Sequence, residues 1–171
     1  MTNTEEHTAR VERLQKEMTT AAVDLVAIAP TSNMRYLLGF SPLADERFCA
    51  VLVTPRERRL VVPDLNADQG EARTGVEGIR WTDEEGPEGA LAKGLGALHV
   101  AGPDLLAVDA EMRADALLLL QKATQADRSV SAADLMSRLR SRKSEREIGM
   151  LARAAEQADR AMLAGVAACR P

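Results

Sequence analysis

Apolar and polar positions alternate in short blocks that predict helices and strands in turn. Residues 5–21 place apolar side chains among charges at a helical spacing. Val23–Ala29 form a short apolar run, as in a buried strand. Two further apolar runs, Phe48–Thr54 and Arg59–Pro63, are joined by a charged connector and predict a β-hairpin. The chain is therefore expected to begin with a helix, a strand and a hairpin, with one helical turn at 34–36.

Predicted helices and strands continue to alternate to about residue 140. Helices are predicted over 65–75, 88–98, 112–123 and 132–140, and strands over 76–81, 103–109 and 127–130. Strands that alternate with helices of 10–15 residues are typical of an α/β fold. The pattern therefore predicts a mixed β-sheet flanked by helices, with no internal repeat.

The last part of the chain has a different character. Ser144 and Glu147 have the spacing of a capping box, in which a hydroxyl and a carboxylate each accept a backbone N–H of the other residue. The predicted helix behind them runs for about 22 residues and carries a partial apolar stripe. That stripe comprises Ile148, Leu151, Ala155, Met162 and Val166. It is expected either to fold back on its own domain or to begin a second one.

Composition excludes several classes of function. The net charge of −4 gives no general attraction to nucleic acid or anionic membranes. The basic residues of 138–146 are interleaved with acidic ones and lack stacking aromatic side chains, so no nucleic-acid partner is expected. No apolar run is long enough to span a membrane, and the N-terminus lacks a signal-peptide core, which predicts a cytoplasmic protein. His7 and His99 are isolated, so neither predicts a metal site.

Carboxylates at predicted strand ends allow two interpretations. Asp64, Asp109 and Glu111 lie at or just after strands, where acidic side chains hold Mg²⁺ in some nucleases. Acidic residues in such places are also common helix caps, and Asp109 is placed to cap the helix expected from Met112. The capping interpretation is the favoured one.

Three of the four aromatic residues fall within one stretch, Ser32–Phe48. Together with the tail, this stretch resembles the N-terminal domain of the pita-bread metallopeptidases, which include Xaa-Pro aminopeptidase, prolidase and, as a relative, creatinase. The first shared pattern, N-x-x-Y-L-x-G-F, is matched by Asn33, Tyr36, Leu37, Gly39 and Phe40. The second, L-R-x-x-K-x-x-x-E-I, is matched by Leu139, Arg140, Lys143, Glu147 and Ile148. The resemblance implies a creatinase-type domain with a ribonuclease-H-like motif.

The resemblance implies that the chemistry lies elsewhere. Enzymes of this kind hold two divalent ions (Mn, Co or Zn) on two Asp, one His and two Glu of a following catalytic domain. After Lys143 the chain contains no His and no Asp other than Asp159. Residues 1–140 are therefore expected to be the N-terminal domain, and 141–171 a linker and the first helix of an absent catalytic domain. This chain is expected to hold no cofactor and to be no enzyme by itself.

The implied role is oligomerisation, as a homodimer, and the shaping of substrate access for a proline-specific peptidase. Counted from Phe40, Arg47 falls where creatinase-like members place an arginine that binds substrate carboxylate, and Tyr36 and Phe40 would form a rigid lip beside it. The structural interpretation is the favoured one: the two rings close the end of the sheet, and Arg47 pairs with Asp45 or Glu46.

Two other functions stay open at the sequence level. The chain could be a freestanding dimerisation or regulatory module, or the N-terminal domain of a creatinase-like amidinohydrolase. The ending "AACRP" favours a piece of a longer enzyme over a freestanding module.

Overall fold

A computed structural model describes residues 3–169. The chain divides into two compact units, Met1–Leu139 and Arg140–Pro171. The first unit contains the whole sheet, and the second contains the long helix of the tail. Within residues 3–169, none of the helices is both long and apolar enough to cross a bilayer.

The first unit is built on one six-stranded mixed sheet, as predicted. Its strands have the order β4-β3-β2-β1-β5-β6. β2 is antiparallel to β1 and β3, and the remaining neighbours are parallel. The strands are β1 Leu25–Ile28, β2 Ala50–Val53, β3 Arg58–Pro63, β4 Gly78–Trp81, β5 Leu105–Val108 and β6 Arg128–Ser131.

Helices cover both faces of this sheet. They are α1 Asn3–Ala21, α2 Ser32–Leu38, α3 Asp64–Thr74, α4 Glu88–Ala97, α5 Ala114–Thr124, α6 Ala133–Ser141 and α7 Glu145–Ala168. Apolar side chains of α1, α2, α3 and α6 form one core cluster with one face of the sheet. Those of α4 and α5 form the second cluster on the opposite face. All four residues of β1 and of β2 are buried, which explains why both strands have continuous apolar sequences.

Strand direction brings distant segments to one edge of the sheet. β1, β3, β4, β5 and β6 run the same way, so their C-terminal ends lie together beside the start of β2. We call this edge the strand-end edge, formed by residues 29–33, 39–49, 64–65, 82–88 and 109–113. Ligand-binding loops in open α/β sheets lie at such an edge.

The stretch rich in aromatic residues forms more helix than expected. α2 has two turns instead of the single turn predicted over 34–36, because Thr31 caps it by accepting the Asn33 N–H. The helix ends at Gly39, whose φ of 69° is left-handed and favours glycine.

The capping role predicted for Asp109 is wrong. α5 begins at Ala114, its N-cap is Arg113, and no side chain caps it. The Asp109 carboxylate is instead occupied by other donors. Thr31 Oγ1 and Asn33 Nδ2 donate to Oδ2 at 2.8 and 3.3 Å, and the Glu111 N–H donates to Oδ1 at 3.0 Å. This buried carboxylate therefore joins the start of α2 to the end of β5.

We predict that Asp109→Ala destabilises the fold by about 2–4 kcal/mol, because the buried Asn33 amide and Thr31 hydroxyl lose their acceptor. The measurement is chemical denaturation followed by circular dichroism. Asp109→Asn, which keeps one acceptor oxygen, should fall between the wild type and the alanine variant. The exposed control Asp127→Asn should stay within about 0.5 kcal/mol of the wild type. Equal stability of Asp109→Ala and the control would contradict the assignment.

We also predict that the two cysteines react differently. Cys49 is buried, whereas Cys169 is exposed. Burial, with a smaller contribution from the Asp45 charge, raises the pKa of Cys49 to about 12, which keeps its thiol protonated. Ellman's reagent at pH 8 should therefore titrate one thiol in the native protein and two in denaturant. The variant Cys169→Ser should show none before unfolding, and a fast-reacting thiol in it would oppose the prediction.

Candidate functional site

Arg47 forms a bidentate ion pair with Asp83 at the strand-end edge. Its Nε donates to Asp83 Oδ1 and its Nη2 to Oδ2, both at 2.8 Å. Its Nη1 also donates to Asp45 at 3.3 Å and to Glu46 at 3.4 Å. Parallel bonds of this kind match the planar guanidinium to a carboxylate. The residue that the resemblance assigns to a substrate carboxylate therefore already binds one from its own chain.

Electrostatics keeps this pair ionised. The hydrogen bond from Arg47 lowers the pKa of Asp83 below its ordinary value, and the bond from Asp83 raises the pKa of Arg47. Both groups are at the surface, with side-chain exposures of 28% and 65%, so water screens their attraction. Such a contact orients the Arg47 guanidinium and contributes little to stability.

Arg47 lies at the rim of an open cleft of about 500 Å³. The lining includes Phe48 and Trp81 from the sheet side and Leu119 from α5. Trp81 is buried, and its indole N–H donates to the Phe48 carbonyl at 3.0 Å. The floor is therefore apolar and held together by a buried hydrogen bond.

A second ion pair borders the same cleft on α5. Arg113 donates to Asp115 through Nε at 3.1 Å and Nη2 at 2.7 Å. The bond from Arg113 lowers the pKa of Asp115, so this pair is also ionised. The cleft thus combines an apolar floor with a charged rim.

Tyr36 joins three helices of the first unit. Its hydroxyl donates to the Leu139 carbonyl at 3.3 Å, and its ring lies 4.2 Å from the Arg10 guanidinium carbon in a cation–π contact. Its own carbonyl accepts bonds from Arg10 at 2.9 Å and from His7 at 3.1 Å. Half-buried Tyr36 therefore ties α2 to α1 and α6, and any part in substrate access stays a prediction.

Phe40 lies inside the protein. Only 4% of its surface is exposed, and it belongs to the core cluster of α1, α2, α3 and α6. Its ring packs on α3 at Gly70, where a Cβ would lie 3.1 Å from Phe40 Cε1. A part of Phe40 in substrate access also stays a prediction.

The two motifs of the sequence meet at Leu139. Its carbonyl accepts the hydroxyl of Tyr36 from the first motif and Nη2 of Arg13 at 3.0 Å. The Leu139 side chain is buried in the core. Residues 103 positions apart in sequence are thus in direct contact.

The predicted capping box of the tail is confirmed. The Glu147 N–H donates to Ser144 Oγ at 3.2 Å, and the Ser144 N–H donates to Glu147 Oε2 at 2.8 Å. α7 follows from Glu145 to Ala168, and no residue in it is buried.

The described residues do not fit a metal centre. Among them, no three His, Cys, Asp or Glu side chains are grouped so that they could hold a metal ion. The strand-end acids Asp64 and Asp109 are engaged with Arg80 and with the start of α2, respectively. The magnesium interpretation of these carboxylates therefore has no geometric support.

Sequence reasoning missed Asp83 as the partner of Arg47. The two residues are 36 positions apart, and the cleft that both of them line contains side chains from three separate segments. The acidic sequence 83–85 was visible, but no spacing rule connects a loop after β4 to a loop before β2. Only the pairing of strands in space makes that connection.

Comparisons with known proteins agree with the fold. Residues 10–142 match the family model described as the creatinase/prolidase N-terminal domain. The chain is 27% identical over 159 residues to an Xaa-Pro dipeptidase of Pyrococcus horikoshii, covering 92% of this chain and 41% of that protein. It thus spans about two fifths of the length of the curated relative it matches.

Solved structures show the same architecture. A dipeptidase of P. horikoshii OT3 superposes with a TM-score of 0.85 at 23% identity, over 92% of this chain and 44% of that one. The dipeptidase PepE of Mycobacterium ulcerans gives 0.80 at 27% identity, over 93% and 43%. The N-terminal domain of a Streptococcus pyogenes X-Pro dipeptidase gives 0.66 at 15% identity, over 74% and 95%. With its six-stranded mixed sheet and a family match over most of its length, the chain belongs to the creatinase/prolidase N-terminal domain family.

Proposed function

We propose that the chain is the non-catalytic domain of a proline-specific peptidase of the Xaa-Pro dipeptidase or aminopeptidase kind. Its role there is to shape substrate access and to contribute to assembly. The observation that carries the proposal is the match of 92% of the chain to an Xaa-Pro dipeptidase, within the N-terminal domain family. We further propose a homodimer located in the cytoplasm.

The metal chemistry of such an enzyme would be held by other residues. The described part of this chain contains no suitable group of ligands. We therefore assign the divalent ions of the proposed peptidase (Mn, Co or Zn) to a catalytic domain outside residues 3–169.

Exposed apolar side chains support a role in assembly. Leu43 is 91% exposed and Leu65 is 78% exposed, and both lie at the strand-end edge. Isolated exposed leucines are common, but two at the edge that bears Arg47 and the cleft favour a surface that another protein surface covers. We propose that this edge faces the substrate site of the assembled enzyme.

The tail offers a second such surface. On α7, Ile148, Leu151, Met162, Leu163 and Val166 have exposures of 50–69%. An amphipathic helix normally buries its apolar stripe against a partner. We propose that the catalytic domain of the same polypeptide covers α7.

The proposal predicts that the purified 171-residue chain does not release proline from Xaa-Pro dipeptides with Mn²⁺, Co²⁺ or Zn²⁺, because no ligand group in its described part activates water. A proline assay and calorimetric titration of each ion are the measurements. The P. horikoshii dipeptidase assayed in parallel is the positive control. Turnover that follows this chain through repurification, together with tight binding of two ions, would show the proposal to be wrong.

Arg47 is predicted to act by exchanging Asp83 for a substrate carboxylate in a polypeptide that joins this domain to its catalytic partner. Arg47→Ala should then raise KM about tenfold, the loss expected for a charged hydrogen bond, with little change in metal content. Asp83→Asn should lower KM, because it removes the competing carboxylate.

Opposite shifts in KM distinguish exchange from a purely structural ion pair, which would make both variants change in the same direction. Arg113→Ala breaks the neighbouring ion pair and serves as the control for loss of a charge at the rim. An unchanged kcat/KM in Arg47→Ala would remove Arg47 from the substrate site while leaving the family assignment intact.

A further inference from the structure

The cleft between β4 and α5 has the size and lining of a ligand site. Its volume of about 500 Å³ lies within the usual range for small-molecule pockets. Phe48, Trp81, Ala116 and Leu119 contribute apolar surface to its wall. An apolar part of a ligand would therefore lose water on entering it.

The rim of the cleft has more acidic than basic groups. Four carboxylates line it, those of Glu46, Asp83, Glu88 and Asp115. The two lining arginines, Arg47 and Arg113, are each engaged with carboxylates of this chain. An entering anion would have to displace one of those acids, whereas an entering cation meets negative charge without breaking an existing pair.

Glu88 is the acidic group best placed to meet such a cation. It lies in the first turn of α4 and lines the cleft. Within residues 3–169 its carboxylate takes part in no ion pair, in contrast to Asp83 and Asp115. A cation bound beside Glu88 would therefore gain a partner that the fold leaves available.

We propose that this cleft binds an organic cation, a molecule in which an ammonium or guanidinium group is attached to a hydrocarbon chain. The hydrocarbon chain would lie against Trp81 and Leu119. The acidic rim selects the sign of charge, and the apolar floor provides the burial. This inference goes beyond the proposed role in a peptidase, because binding requires only the residues of this chain.

The test compares two probes with the same stem, 4-phenylbutylamine and 4-phenylbutyrate. Trp81 is the only tryptophan of the chain, so its indole N–H gives one NMR signal that reports directly on the cleft. Titration with the amine should shift this signal in a saturable way, and the carboxylate should bind far more weakly. Added salt should weaken binding of the amine, because exposed charges are screened.

Three variants test whether the amine binds in the cleft. Glu88→Gln should weaken binding of the amine about two- to fivefold, the range for an exposed ion pair. Glu77→Gln removes the same charge before β4, at the opposite edge of the sheet, and should leave binding unchanged. Ala116→Phe should fill the cleft and abolish binding, and circular dichroism checks that each variant is folded.

Three results would overturn the proposal. They are equal or tighter binding of the carboxylate, equal weakening by Glu77→Gln and Glu88→Gln, and no shift of the Trp81 signal up to the solubility of the amine. Tighter binding of the carboxylate would instead support exchange at Arg47, and none of the three results bears on whether the chain belongs to a proline-specific peptidase.

Discussion

Burial of the central strands on both faces is the constraint on which this domain depends. β1 and β2 are completely buried, so their side chains on both faces must be apolar, and helices must cover both sides. Little room remains in the interior for polar groups. Of the buried polar residues in the described part, Asn33 and Asp109 bond to each other at the end of the sheet. Polar and charged side chains consequently lie mainly at the edges of the sheet.

Polar and charged side chains, such as Asp109 and Arg47, lie at the strand-end edge. Asp109 fixes the start of α2 against β5, and α2 leads into the loop that carries Arg47. The ion pairs on this loop are exposed and screened, so they add little to stability but set where each charge lies. A loop that is held in place and carries exposed charges is suited to contact a ligand or another domain.

Contacts at the end of α6 join the two sequence motifs physically. Tyr36 and Arg13 both donate to the Leu139 carbonyl, and the Leu139 side chain is buried in the core. A carbonyl near the C-terminus of a helix lacks a helical partner, so donors from α1 and α2 satisfy it. The two sequence motifs therefore meet at one structural junction of this chain.

The sequence by itself determined the elements, the mixed sheet, the capping box of Ser144 and the family, because local periodicity, capping and short motifs depend on neighbouring residues. The Arg47–Asp83 pair, the role of Asp109 and the cleft lined by Trp81 were decided only by the tertiary structure. Each of these requires segments tens of residues apart to meet. Their meeting depends on the order and direction of the strands, which no local pattern specifies.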